Sequence, residues 1–451
     1  MTTFHSSRRG FLQSSAATTA AATTHTLLPT AVGNERATEP RRTGKPRIAI
    51  ITTVWAFLDH GQHIGDRFLV GYPWEGDWQE PRVEVVSAYV DQVPNATRRA
   101  ERERQYGFPQ GDQSAGRARE FGFTLYKTIA SALRRGGRRL DVDGVVVIGE
   151  QGDYPSNVHG QKLYPRADFF QQITDVFRTD DRSVPVFNDK HLSYSFSKAL
   201  GMVEASRELD FPMLAGSSLP VGWRMPEMEI PHGAEIEEAL VICPSDALDS
   251  AGFHALEALQ CLVERRDGGE RGIRRVTTLV GQAAWNAMAE GRWSHELMSR
   301  ALSRADVIKG QTLVDARTQD LAAPGTLEEI VPHPQAVLIE YRDGLRATML
   351  LLDGAVGDFT AAVQLDRDDR ILSTKFHLPP EPNVAYSACL ARHIEDLVLN
   401  RRANFPIERT LLVSGLLEAA HKSRTAGGRP MKTRHLEIRY RAPRRSLYCR
   451  T

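Results

Sequence analysis

The 451-residue chain lacks the features that mark several large classes of protein. No window holds about 18 consecutive apolar residues, so no transmembrane span is expected. Only four cysteines occur (Cys243, Cys261, Cys389, Cys449), far apart and with no C-x-x-C. Neither a zinc ribbon nor a disulfide scaffold is signalled by that spacing. An excess of one charge is missing too: 57 Lys+Arg stand against 56 Asp+Glu, a net +1. That balance argues against a nucleic-acid binder that neutralises many phosphates. Aromatics at 8 % and charged residues at 25 % are ordinary globular values, which excludes wholesale disorder. At roughly 100–200 residues per domain, the length calls for two or three domains.

What is present begins with an address. Ser7-Arg8-Arg9-Gly10-Phe11-Leu12 precedes an acid-free, Ala/Thr-rich run to Leu28, which reads as a twin-arginine signal. Residues 1–42 are therefore set aside as signal peptide and linker, with cleavage expected between Ala22 and Ala37. The mature protein is expected outside the cytoplasm, delivered by the twin-arginine export machinery to the periplasm or another extracytoplasmic space.

Short β-branched runs at Arg47–Thr52, Val83–Val90, Val142–Ile148, Val184–Phe187 and Met213–Gly216 read as buried strands. Helical stretches at 121–135 and 197–209 alternate with them, the pattern of a parallel α/β sheet. Past Pro226 the texture changes. Ala336–Tyr341 and Leu345–Leu352 flank Asp343-Gly344 as a hairpin, and Phe359–Leu365 with Arg370–Leu378 forms a second around Asp366–Asp369. Helical periodicity returns at 251–265, 387–399 and 407–423. The expected architecture is α/β: a Rossmann-like, doubly wound parallel sheet over 43–225, then an α+β domain over 226–440 with an open, mostly antiparallel sheet. The basic tail 441–451 is expected to be solvent-exposed. The sign-alternating run Arg98–Arg104 reads as a solvated helix face, and Trp285 and Trp293 as core or subunit-contact residues.

Three separated segments, in order, carry a resemblance. Val184 to Tyr194, with Asn188-Asp189-Lys190-His191 at its centre, is followed by a helix and Met213-Leu214-Ala215-Gly216-Ser217-Ser218. Gly252-Phe253-His254 opens a later helix, and Phe405 to Ser423 closes the chain's helical part. Together they resemble the Gfo/Idh/MocA oxidoreductases, of glucose–fructose oxidoreductase and inositol dehydrogenase type, over roughly residues 45–440. The resemblance implies NAD or NADP, a sugar-like hydroxylated substrate and a homo-oligomer. It also implies that Lys190 steadies the substrate while His254 is the acid/base, with Asp189 and His191 beside them. Chemically the division is sound, since an ammonium steadies a developing alkoxide and an imidazole exchanges protons near neutrality.

The chain departs from the family at three places. A dinucleotide fold wants G-x-G-x-x-G after its first strand, but no glycine precedes Gly61, and Trp55 and Phe57 are expected to crowd the pyrophosphate. Asp91, Thr52 and Glu150 are the remaining candidates to hold a cofactor. In the motif of the fourth strand the family's Glu-Lys-Pro is here Asp189-Lys190-His191. The acid expected before Gly-x-His falls on Ser250, with Asp249 beside it. Lastly, histidines and acids are enriched at strand ends, with Glu150, Asp153 and Tyr154 directly after the third strand, and His60, His63, Glu150, His159, Asp189, Lys190 and His191 are expected to face one crevice. With His60, His63 and His159 as ligands, zinc or another divalent metal is the alternative cofactor.

Three readings follow: an NAD(P)-linked oxidoreductase; an NAD-independent, possibly metal-dependent acid/base enzyme (isomerase, lyase or hydrolase) drawing on Lys190, His191, His254 and the His60/His63 pair; and a non-catalytic binding protein.

Overall fold

The computed structural model describes residues 44–107, 111–306, 320–323, 325–365, 370–379 and 384–450. The expected signal segment and the turn at 366–369 lie outside the described residues.

Six strands form the first sheet: β1 (Arg47–Thr52), β2 (Glu84–Val90), β3 (Thr124–Tyr126), β4 (Gly144–Ile148), β5 (Val186–Asp189) and β6 (Met213–Gly216). All pairs are parallel, in the order β3-β2-β1-β4-β5-β6. This is the doubly wound order, in which the direction of winding reverses beside β1. Both faces are covered, so apolar residues occupy consecutive positions. Ala49, Ile51, Val145 and Val147 point into one hydrophobic cluster, Ile48, Ile50, Val146 and Ile148 into the other.

Helices α1 (His60–Gly65), α2 (Ala96–Tyr106), α3 (Arg166–Asp180) and α4 (Phe196–Glu208) belong to this half of the chain. The expected helix over 121–135 is instead two short helices, Ser114–Phe121 and Ile129–Arg134, separated by β3. Gly122 ends the first in a left-handed conformation and Thr128 caps the second, so local capping overrides the apolar periodicity.

The second sheet has eight strands: β7 (Trp223–Met225), β8 (Ile236–Cys243), β9 (Ile273–Val280), β10 (Gln335–Tyr341), β11 (Arg346–Leu351), β12 (Phe359–Leu365), β13 (Arg370–His377) and β14 (Met431–Lys432). Their order is β14-β9-β10-β11-β8-β12-β13-β7, and only β8 and β11 pair in parallel. The strands of both expected hairpins pair, β10 with β11 and β12 with β13, each antiparallel. Helices α5 (Phe253–Val263), α6 (Gln282–Ala289), α7 (His295–Leu302), α8 (Ser387–Asn400) and α9 (Ile407–Thr425) complete the set that concerns the site. α5 and α9 pack on one face of the sheet, where Ala239, Val241 and Met349 are buried. Trp285 and Trp293, both core residues, cover the other face with Leu297. α8 returns to the first sheet: Ile394, Leu397 and Val398 join Ile48 and Val146, and a Cβ on Gly144 would lie 2.6 Å from Val398.

Two expectations about the chain's end are corrected. Cys389 and Cys449 form a disulfide across 60 residues, with Cα atoms 6.3 Å apart, although their spacing gave no sign of it. The tail is docked, not free. Tyr448 is buried, the Cys449 amide donates to the Val221 carbonyl (2.9 Å), and Arg265 donates to the carbonyls of Pro443 and Arg444.

A cross-link closing a loop of this length restricts the unfolded chain and contributes about 2–4 kcal/mol. Cys449→Ser should therefore lower the urea midpoint by a matching amount, and reductant should shift the wild type to the same curve. Superimposable curves for variant and oxidised wild type would contradict the cross-link.

Candidate active site

Four segments meet at the carboxyl ends of the first sheet's strands. After β5 the chain turns sharply at Lys190, a non-glycine residue held at φ +63°. Asn188 ties this turn, its side-chain amide donating to the carbonyls of Asp189 (3.1 Å) and His191 (3.3 Å). Such left-handed strain persists only where the surroundings fix it, and it clusters at functional sites. The Lys190 ammonium lies 3.5 Å from Glu150, whose other oxygen accepts from Arg166. Arg166, buried at the start of α3, also donates to the ring of His191 (2.8 Å). That ring faces inward against Phe253.

His60 and His63 lie on one side of α1 with rings 4.6 Å apart. Nδ1 of His60 is 2.7 Å from the Asp189 carboxylate, and the ring stands 6.3 Å from His254. At the head of α5, His254 Nδ1 is 2.5 Å from Ser217 Oγ, a hydroxyl that also accepts the Leu219 amide. His60 and His254 keep some exposure, while His63 and His191 are buried. A π-helical turn, Leu248–Gly252, precedes α5 and absorbs one extra residue. Asp249, on this turn, accepts the Lys162 amide (2.9 Å) and stands 3.4 Å from His421 Nε2.

Burial sets the protonation states. It pushes His60 and His191 down to about 3, helped by the charges of Lys190 and Arg166. His63 and His254 are held well below the ordinary imidazole value for the same reason. Burial lifts Asp189 to about 6 although Lys190 and Arg166 oppose it, and lifts Glu257, one turn beyond His254, to about 7. Asp249 is the exception: desolvation would raise it, yet His421, His191 and the Lys162 amide hold it at about 2.

The catalytic candidates Lys190, His254, Asp189 and His191 thus lie together, with His60, His63 and Glu150. His159 does not: its ring meets Thr425 (2.8 Å) at the end of α9. Among the described residues no three His, Cys, Asp or Glu side chains stand close enough to hold a metal ion, so His60, His63 and His159 do not make a metal centre. The reason is that His159 belongs to another surface, with its ring on Thr425, so it does not join His60 and His63. Sequence reasoning missed Arg166 and Glu257, which carry no motif. It also assigned Ser217 no role, although the Gly-Ser-Ser after β6 was a usable signal.

No protein-family model matches the sequence, and no curated protein does. Shape finds partners. GenD2 from gentamicin A biosynthesis, solved in complex with NAD, aligns at a TM-score of 0.51 and 16 % identity, over 88 % of this chain and 99 % of its own. The two chains share a fold. It is the two-domain Gfo/Idh/MocA-type fold that the resemblance implied. A scyllo-inositol dehydrogenase from Lactobacillus casei gives 0.47 at 11 % identity (87 % and 99 % covered), and a myo-inositol dehydrogenase from Corynebacterium glutamicum 0.46 at 11 % (86 % and 98 %).

The Gfo/Idh/MocA-type fold implies a dinucleotide beside β1, and the residues there can be tested against one. A cavity of about 320 Å3 opens at the reversal point, lined by Val54, Gln92, Asn95, Arg98 and Gly152 among others. Its size and mix of groups suit a nucleoside. Trp55 does not crowd it, contrary to expectation: the ring is fully buried, stacked on Phe123 at 5.7 Å, and donates to Asp66. Gly61 does the work of a turn glycine, since a Cβ there would lie 2.2 Å from the Val54 carbonyl. The three residues foreseen as cofactor ligands are already engaged. Thr52 donates to backbone carbonyls, Asp91 accepts from Tyr89 and Tyr154 (2.6 Å each), and Glu150 is paired with Arg166 and Lys190. The space and its polar lining fit a nucleotide; the group out of place is Asp59, a buried carboxylate paired with Arg98, which lines the cavity, and with Arg102.

Imidazoles held neutral by folding carry a pH signature. Unfolded, they titrate near 6.5; folded, His63 titrates far lower, so in between the unfolded chain binds the extra proton. Stability from this group is present above about 6.5 and lost as pH falls. His63→Gln should gain on the wild type by about 1.4 kcal/mol for each pH unit below 6, read by urea unfolding at pH 7 and 5. A pH-independent difference would show that His63 titrates normally.

Proposed function

We propose that the chain is an oxidoreductase of the Gfo/Idh/MocA type acting on a hydroxyl of a sugar-like or polyol substrate. The observation that carries this is the convergence of the Lys190 ammonium and the Ser217-held His254 imidazole on one crevice, beside the Asp189–His60 pair. Lys190 donates to the substrate oxygen and steadies it as its proton leaves. With Nδ1–H of His254 donating to Ser217, Nε2 carries the lone pair that accepts that proton. Asp189, once ionised, takes the Nδ1–H of His60 and turns its Nε2 toward a further hydroxyl. His191 acts through Arg166 and Glu150 as a positioning residue for Lys190.

NAD or NADP is the proposed cofactor, supported by the fold shared with GenD2, which was solved with NAD. Arg98, Gln92 and Asn95 would hold it, and when bound it supplies the hydride acceptor. A second reading, redox-neutral acid/base chemistry on the same groups, is favoured by one observation: Asp59 and Asp91 are both satisfied internally. Export by the twin-arginine machinery to an extracytoplasmic space is part of the proposal. Its supports are Arg8-Arg9 with Phe11-Leu12 and the Cys389–Cys449 disulfide, a bond that persists in oxidising compartments. Homo-oligomerisation is proposed on the resemblance alone.

The test is NAD+ or NADP+ reduction at 340 nm with a panel of inositols and hexoses. Lys190→Met should cost about a hundredfold or more in kcat, and His254→Ala a similar factor. Turnover should rise with pH through about 6, as Asp189 ionises, and Asp189→Asn should lose that limb. Full activity in Lys190→Met would contradict the assignment.

A further inference from the structure

Two loops meet at the 320 Å3 cavity of the reversal point, one following β2 and one following β4. In a doubly wound sheet the ribose of a bound nucleotide lies at the end of the second strand, where an acid accepts its hydroxyls. Asp91 stands at that strand end, but it lies outside the lining of the cavity. Each of its oxygens already accepts a phenol, one from Tyr89 and one from Tyr154 (2.6 Å each). Burial, with that carboxylate beside them, holds both phenols protonated. A ribose reaching Asp91 would have to compete with two short O–H···O bonds.

The same Tyr154 brings a second acid to the cavity. Its bond to Asp91 draws the loop after β4 across the end of β2, and Gln92 clamps that loop by its backbone. The Asp153 amide donates to Gln92 Oε1 (2.8 Å), and Gln92 Nε2 donates to the Asp153 carbonyl (3.3 Å). Gly152, at φ +105°, permits the close approach: a Cβ there would lie 2.6 Å from the Tyr154 ring and 3.1 Å from Gln92 Oε1. Asp153 lines the cavity, and among the described residues its carboxylate makes no hydrogen bond or ion pair. Arg98, the other charged residue of the lining, is already paired, donating to both oxygens of Asp59 (3.1 and 3.2 Å). The charge left to meet a ligand is therefore negative. An ionised carboxylate accepts and cannot donate, so it suits a vicinal diol and opposes a phosphate.

We propose that Asp153 is the ribose-binding acid of this cavity and that it selects NAD over NADP. This rests on the reading of the crevice as a nicotinamide-nucleotide site and names which of the two nucleotides it takes. The adenosine ribose gives its 2′- and 3′-hydroxyls to the Asp153 oxygens. A 2′-phosphate removes one of those donors. It also sets close to two negative charges against an acid whose backbone is pinned and whose neighbouring cation is taken.

The test is titration of the full exported chain with NADH and with NADPH, followed by nucleotide fluorescence, with thermal melts to verify folding. Wild type should bind NADH about tenfold or more tightly than NADPH, the worth of a hydrogen bond to a charged acceptor. Asp153→Asn should bring the two affinities within about threefold of each other, by weakening NADH and strengthening NADPH. Asp91→Asn should keep the wild-type preference. Equal binding of both nucleotides by wild type, or a preference for NADPH, overturns the assignment and leaves the nucleotide reading standing. So does an NADH preference that survives in Asp153→Asn or is lost only in Asp91→Asn. A wild type that melts cooperatively and binds neither nucleotide overturns the nucleotide reading, and the assignment with it.

Discussion

The crevice depends on one carboxylate shared by two cations. Glu150, at the end of β4, faces Arg166 with one oxygen and Lys190 with the other, and all three side chains are nearly dry. Removing the shared acid would leave two buried positive charges without a partner, a loss of the size that breaks buried networks. Holding them has three consequences. The Lys190 ammonium is fixed beside its left-handed turn, Arg166 is free to bond His191, and the ends of β4 and β5 are tied to the start of α3. Everything proposed for the reaction starts from an ammonium whose position is set this way.

Around that pair the fold assembles imidazoles and keeps them uncharged. Neutral rings beside an ammonium can accept a proton without repelling one in the resting state, and the two with some exposure, His60 and His254, are those that face the crevice. The buried two have other partners: His191 meets Arg166, and His63 packs against His60 and Tyr386. Ser217, from the end of the sheet's last strand, orients His254. The second sheet therefore supplies the acid/base on α5 while the first sheet supplies its orienting hydroxyl. Neither half is sufficient alone.

Much of this was legible in the chain. Five of the six parallel strands, both hairpins and the helices bearing His254 and the closing segment follow from β-branched runs, an Asp-Gly turn and helical spacing. Lys190, His254, Asp189 and His60 were named from strand ends and from the resemblance. What failed did so for physical reasons. A three-residue edge strand between capped helices, β3, has too few residues to show a period. Cys389 and Cys449 are brought together by α8 returning to the first sheet, a non-local event. Arg166 is defined by what it touches and has no neighbours in sequence that announce it. His63 and His159 looked alike as letters, but one lies under the crevice and the other on the far side of α9. Trp55 seemed an obstacle because its direction, inward onto Phe123, cannot be read from its position.

The central claim is that this crevice holds a nicotinamide nucleotide despite lacking glycines after β1. It is tested most directly on protein purified after native export, by acid release and assay of NAD and NADP against chain concentration, with NAD+ added before a second determination. The account predicts near one nucleotide per chain, either as purified or after loading. A chain that carries none and takes up none would contradict it.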